Sequence, residues 1–149
     1  MNNVLSRTTR RHFRGKIRRL FSEKSASRTE RYPIDDILAS ELERTTEAVS
    51  FVLPEQMCED FMDEGFVFIR DGKIYAYKNK CVHVTLPLDL DDSDFFSEEK
   101  DVLVCKAHGA TYAPTTGVCL SGPPKCKGRR LARLRVEREG DELVLVSHH

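Results

Sequence analysis

Two short pairs, Cys81-Val82-His83 and Cys105-Lys106-Ala107-His108, constrain this chain more than any other feature. Each offers one thiol and one imidazole from a single short segment. A fold that uses both must bring two separate loops to one point. Two sulfurs and two nitrogens suit either a tetrahedral zinc ion or a 2Fe-2S cluster with cysteines on one iron and histidines on the other. The common Cys2His2 zinc arrangement keeps its cysteines together and its histidines together. Here each segment supplies one of each.

The sequence around the pairs predicts strands. Val49 to Leu53 is a short apolar run. Phe66 to Arg70 and Lys73 to Tyr77 flank Asp71-Gly72, a dipeptide suited to the positive φ angles of a two-residue hairpin turn. Val102-Leu103-Val104 leads into Cys105, and Ala110 to Tyr112 resumes after His108. Leu131 to Val136 and Leu143 to Val146 flank Glu139-Gly140-Asp141 as a last hairpin. Short strands separated by turn signals indicate a small antiparallel all-β domain, with both ligand pairs where strands meet loops.

At 149 residues the chain has room for one domain and an appendage. We expect a β domain over residues 49–147 and a basic, partly helical or disordered N-terminal extension over 1–48. Residues 1–22 hold seven Lys/Arg and no acid. Phe13, Ile17, Leu20 and Phe21 recur there at helical spacing, and a second helix is expected from about Asp35 to Glu47. Arg10-Arg11 has the look of a twin-arginine signal, but the charged stretch after it lacks the apolar segment such signals need. An acid-free, Arg/Ser/Thr-rich start fits an organellar transit peptide better. The expected compartment is therefore cytoplasmic in a bacterium, or organellar if this segment is a transit peptide.

No apolar run is long enough for a membrane helix. Net charge is zero, and the basic run from Lys125 to Arg138 alternates with Leu131, Leu134 and Val136 and has no interleaved aromatics. It reads as a strand with one solvated face, so no nucleic-acid partner is expected. Five cysteines, an odd number, point to reduced thiols and metal ligation instead of a disulfide framework.

Taken together, several motifs resemble the Rieske 2Fe-2S family over roughly Ser50 to Ser147. They are Cys81-Val82-His83 followed by Leu86-Pro87-Leu88, Cys105-Lys106-Ala107-His108-Gly109-Ala110, Thr116-Gly117-Val118-Cys119 and Ser121-Gly122-Pro123-Pro124. The last looks like the proline loop that covers the family's cluster. The resemblance implies that Cys81 and Cys105 hold an inner iron and His83 and His108 an outer iron near solvent. Neutral imidazoles in place of thiolates leave less negative charge on the cluster, giving potentials of about −150 to +300 mV against roughly −400 mV for plant-type ferredoxins.

Departures from the pattern locate the chain within that range. Rieske proteins of cytochrome bc complexes carry a disulfide between the ligand loops, and the matching positions here are Leu86 and Ala107. Those proteins also have a serine donor to a sulfide where this chain has Ala110, while the tyrosine two residues later is present as Tyr112. Fewer donors imply a lower, ferredoxin-like potential. A measured midpoint above about +200 mV, near the top of the family range, would contradict this expectation.

The 21 residues between His83 and Cys105 form a longer span than many family members have, and residues 89–101 hold seven acids against one lysine. That stretch is either a solvated loop or a docking edge for a basic redox partner. Cys119 and Cys126 read as packing residues or an occasional disulfide, and Cys58, beside Glu59 and Asp60, as an ordinary thiol. His12, His148 and His149 have no ligand-like surroundings.

The leading expectation is a one-electron carrier with a Rieske 2Fe-2S cluster, exchanging electrons with a reductase or oxygenase and having no catalysis of its own. One alternative is a small electron-transfer subunit of an oxygenase or reductase complex. Ring-hydroxylating oxygenases need a separate iron on two histidines and a carboxylate, which nothing after Ser147 supplies. The other alternative is a zinc-stabilised or metal-free interaction module. The sequence does not indicate an oligomeric state.

Overall fold

The computed structural model describes residues 28–59 and 63–148. The basic segment around Phe13 to Phe21, Arg10-Arg11, His12 and His149 lies outside the described residues. The strands are β1 (Thr29–Leu38), β2 (Val49–Val52), β3 (Glu64–Arg70), β4 (Lys73–Lys78), β5 (Leu103–Cys105), β6 (Ala110–Tyr112), β7 (Cys119–Ser121), β8 (Arg133–Glu139) and β9 (Glu142–His148). A four-residue helix, α1 (Ala39–Leu42), follows β1. A larger sheet runs in the order β1-β9-β8-β4-β3-β2, and a smaller one in the order β5-β6-β7. Every pairing among these strands is antiparallel.

The β3–β4 hairpin forms as its sequence predicts. Asp71 and Gly72 take φ angles of 51° and 71°, and the strands pair from Arg70↔Lys73 to Gly65↔Lys78. Alternation along these strands feeds two cores. Phe66, Phe68 and Tyr77 point to one side, toward Leu88, Phe95, Leu103, Tyr112 and the small sheet. Val67 and Ala76 point to the other, toward Ile34, Leu42, Leu134 and Leu145.

One element differs from the sequence expectation. The helix expected from about Asp35 to Glu47 is a strand up to Leu38, and only Ala39–Leu42 is helical. Thr29 to Ile34 pair with His148 to Leu143, and the register shifts before Leu38 meets Glu142. Pairing with β9 supplies a full ladder of hydrogen bonds, which outweighs a weak helical periodicity. Pro33 is tolerated because β1 is an edge strand. The bulge turns Ile37 inward, where it is buried with Ile34.

The segment between the ligand pairs fastens the two sheets together. Phe95 stacks on Phe66 with ring centroids 4.2 Å apart, and Phe96 meets Phe68 edge-on at 5.1 Å. The long acidic stretch is thus anchored at its centre by two buried rings.

Candidate metal centre

The first ligand loop leaves β4 at Lys78. Asn79, nearly buried, accepts from the Leu88 N–H with its amide oxygen at 2.8 Å and donates its amide nitrogen to Asp89 at 2.8 Å. Asp89 also accepts from the Ser93 N–H at 3.0 Å. The Cys81 N–H closes the loop onto the Leu86 carbonyl at 2.9 Å. The second loop lies between β5 and β6, where the Gly109 N–H returns to the Cys105 carbonyl at 2.8 Å. A backbone bond also joins the loops: the Lys106 N–H donates to the Leu88 carbonyl at 2.9 Å.

These ties bring all four sequence-predicted residues into one site, in two halves. Cys81 and Cys105 are buried and their thiols interact. His83 and His108 lie on the open side, with Nε2 of His83 2.8 Å from Nδ1 of His108 and ring centroids 4.8 Å apart. The halves meet at Cys81, whose Sγ is 2.7 Å from Nδ1 of His83.

The loops present backbone N–H groups to sulfur in matching fashion. Cys81 receives those of His83 and Val84, two and three residues on. Cys105 receives those of Ala107 and His108, at the same offsets. Burial alone pushes the Cys81 thiol up. The His83 N–H, the Tyr112 hydroxyl, the Cys105 thiol and the Val84 N–H together bring it below its ordinary value. Burial, then the neighbouring Cys81, pushes Cys105 up to about 11. A cation would be needed to hold both as thiolates side by side.

The residues fit a cluster with mixed ligands. Two adjoining thiols are enclosed on the core side and two adjoining imidazoles face outward, a division that a single zinc finger does not require. The backbone N–H groups aimed at both sulfurs suit anionic thiolates.

Two contributors escaped sequence reasoning. Cys126 is fully buried and its Sγ lies 3.0 Å from the Tyr112 hydroxyl, which is 3.2 Å from Cys81 Sγ. Ligand atoms of Cys81, His83 and Cys126 fall within 4.8 Å of one another. Its one sequence signal was its place just after Gly122-Pro123-Pro124. The other is Asp89, which reads in sequence as part of a solvated acidic run but is only 2% exposed and shapes the first loop. The rest of that run divides: Asp91 to Asp94 are exposed, and Lys106 pairs with Asp92 and with Asp94. Cys119 and Cys126 are free thiols, as is Cys58, which donates to the carbonyls of Leu53 and Pro54. His148 pairs with Thr29 and Arg135, neither of them a candidate ligand.

Beside the first loop lies a groove of about 410 Å³ lined by Lys78, Lys80, Val82, His83, Arg129 and Arg130. Lys78 and Lys80 are paired with Glu59. Basic groups thus line a groove that includes His83, and the exposed acids Asp91 to Asp94 follow the same loop in sequence.

The Rieske 2Fe-2S domain family matches residues 47–135. This chain belongs to that family. The family is defined by a 2Fe-2S cluster, and the β domain described here is therefore one that carries such a cluster. Among solved structures, one similar chain comes from a complex of reduced oxygenase and oxidized ferredoxin in carbazole 1,9a-dioxygenase. It is 20% identical with a TM-score of 0.56, and the alignment covers 77% of this chain and 91% of that one. Another is the terminal oxygenase of carbazole 1,9a-dioxygenase from Novosphingobium sp. KA1, 21% identical with a TM-score of 0.58, covering 80% of this chain and 30% of that one. A third comes from the reduced complex between oxygenase and ferredoxin in carbazole 1,9a-dioxygenase. It is 21% identical with a TM-score of 0.57, covering 80% of this chain and 28% of that one. This chain thus spans less than a third of the longer relatives. No curated protein sequence matches it. Among the described residues no helix is long and apolar enough to cross a membrane.

Proposed function

We propose that Cys81, His83, Cys105 and His108 are the four ligands of the cluster and that the chain is a ferredoxin-like carrier serving an oxygenase-type partner. The observation that carries the ligand assignment is the two-sided convergence itself: adjoining buried thiols, and adjoining imidazoles 2.8 Å apart on the open face. A 2Fe-2S cluster held this way accepts and returns one electron. The chain does the rest. Cys81 and Cys105 shield the site from water on the core side, their N–H donors offset thiolate charge, and the exposed His108 ring provides the edge from which a partner is reached.

The partner assignment draws on the solved oxygenase–ferredoxin complexes and on near end-to-end coverage of a chain of carrier size. The exposed acids Asp91 to Asp94 and the groove holding His83, Arg129 and Arg130 are suited to a partner of matching charge pattern. The working compartment is the cytoplasm in a bacterial host, or an organelle where residues 1–22 act as a transit peptide.

Anaerobic purification with iron and sulfide analysis, and EPR of the reduced state, tests the assignment. Two irons and two sulfides per chain with an average g below 2 are expected. One zinc per chain would overturn it. Reduction of an oxygenase-type partner should slow with added salt, and a salt-independent rate would remove the charged docking face.

A further inference from the structure

The structure places Cys126 in contact with the tyrosine hydroxyl that reaches a ligand sulfur. Tyr112 is fully buried. Its hydroxyl has one hydrogen to give and two sulfurs to choose between: Cys81 Sγ at 3.2 Å and Cys126 Sγ at 3.0 Å. A ligand thiolate only accepts, so the Tyr112 hydrogen goes to Cys81. The Tyr112 oxygen is then free to accept, and Cys126 has an S–H to donate. Cys119 also lies against Cys126, but its own S–H has the Ser121 carbonyl as acceptor at 3.6 Å, which leaves the Cys126 S–H for Tyr112.

We infer that Cys126 is a positioning residue that tunes the electron affinity of the centre through Tyr112, along the chain Cys126 S–H to Tyr112 O–H to Cys81 Sγ. This rests on the ligand assignment above. A donor into the Tyr112 oxygen polarises its O–H and strengthens the bond to Cys81. Stronger donation withdraws negative charge from the thiolate and favours the reduced state.

The proline loop is shaped to deliver this thiol. Gly122 takes φ +151°, and a Cβ there would lie 2.8 Å from the Ala110 Cβ and 3.6 Å from the Cys126 Cβ. The loop thus rests directly on Ala110, and the Cys126 N–H closes it onto the Pro123 carbonyl at 2.8 Å. The small residue at 110 removes one possible hydroxyl donor, and the same close approach brings in Cys126 behind the other.

The magnitude is modest. Cooperative strengthening of about 10–30% per bond, applied to one charge-assisted hydrogen bond, changes the one-electron equilibrium about two- to threefold. At about 59 mV per tenfold, threefold is about 28 mV.

The test is a cycle of midpoint potentials on the full chain, measured after iron, sulfide and EPR analysis has shown each variant loaded. Cys126→Val fills the space without a donor and is expected to lower the potential by this amount. Cys126→Ser keeps a donor and is expected to stay at or above the parent. In a Tyr112→Phe background, Cys126→Val should produce no further change. If Cys126→Val does not load, Cys126→Ala takes its place in the same cycle. An unchanged potential, an equal fall in the serine variant, or the same fall with and without Tyr112 would each overturn the inference. A parent protein without iron and sulfide would overturn the ligand assignment instead, so the two failures are distinct.

Discussion

The two halves of the metal centre are built by opposite means. The sulfur half is made inside the protein: Cys81, Cys105, Tyr112 and Cys126 are all buried, and each is fixed by backbone N–H groups or by one another. The imidazole half is made at the edge, where His83 is half-buried and His108 exposed. The proposed four-residue ligand set thus combines a dry side, where small changes in hydrogen bonding act strongly on charge, with a wet side that a partner can approach. Polar tuning belongs to the first half and recognition to the second.

The largest test exchanges one ligand from each half. Cys105→Ser should abolish cluster loading and also destabilise the metal-free protein, because a polar hydroxyl replaces a fully buried thiol. His108→Ala should also lose the cluster. Its metal-free stability should stay within about 0.5 kcal/mol of the parent, as for other exposed positions. Chemical denaturation of both metal-free variants decides this, and equal destabilisation would erase the proposed division.

A second test uses the alkaline limb of stability. Burial, then the neighbouring Cys126, pushes the Cys119 thiol up to about 11 from an ordinary 9.0. Between these values the unfolded chain gives up a proton that the folded one keeps. Stability is therefore unaffected below pH 9.0 and falls as pH rises toward 11, with a slope of at most about 1.4 kcal/mol per unit. Denaturation of the metal-free protein across this range should show the fall, and Cys119→Ala should reduce it. A flat alkaline limb would show that the sulfur half is wetter than its burial implies.

A third test measures tuning by half. Tyr112→Phe removes the hydroxyl donor to Cys81 and should lower the midpoint by about 60 mV, one tenfold step for a one-electron couple. Arg130→Gln, on the groove beside His83, should leave the midpoint within about 10 mV of the parent, well under that step, while weakening the salt dependence of partner reduction. Voltammetry on both variants checks the contrast.

The division also explains what the sequence could and could not reveal. The strands around both ligand pairs were legible because their alternation and the Asp71-Gly72 turn are local properties. The four proposed ligand residues stood out because C-x-H and C-x-x-H carry their chemistry in their spacing. β1 was not, since Thr29 to Leu38 is a strand only by virtue of β9, more than 100 residues on. Cys126 was not, because it sits in a loop, its neighbour Tyr112 comes from β6, and nothing in the local sequence indicates the contact. Asp89 resembled its acidic neighbours until Asn79 was seen to hold it. What was missed in each case depends on a partner distant in sequence.

The smallest expected effect lies on the acid limb, at the border of the open half. The Lys106 ammonium, then the Asp94 N–H, holds the Asp92 carboxyl below its ordinary value of 3.8. A depressed carboxyl contributes stability above the unfolded value and loses it as pH falls through the lower folded one. Because Asp92 is exposed, the contribution is screened and should shrink further with salt. Lys106→Met removes the pair and should weaken the stability loss below pH 3.8 while leaving the fall just above pH 9.0 unchanged, because the Lys106 ammonium, itself raised by Asp92, gives up its proton only above 10.5. Cys119→Ala should do the reverse. If both variants altered the same limb, the two halves would titrate as one unit, and the separation between a dry sulfur side and a wet imidazole side would not hold.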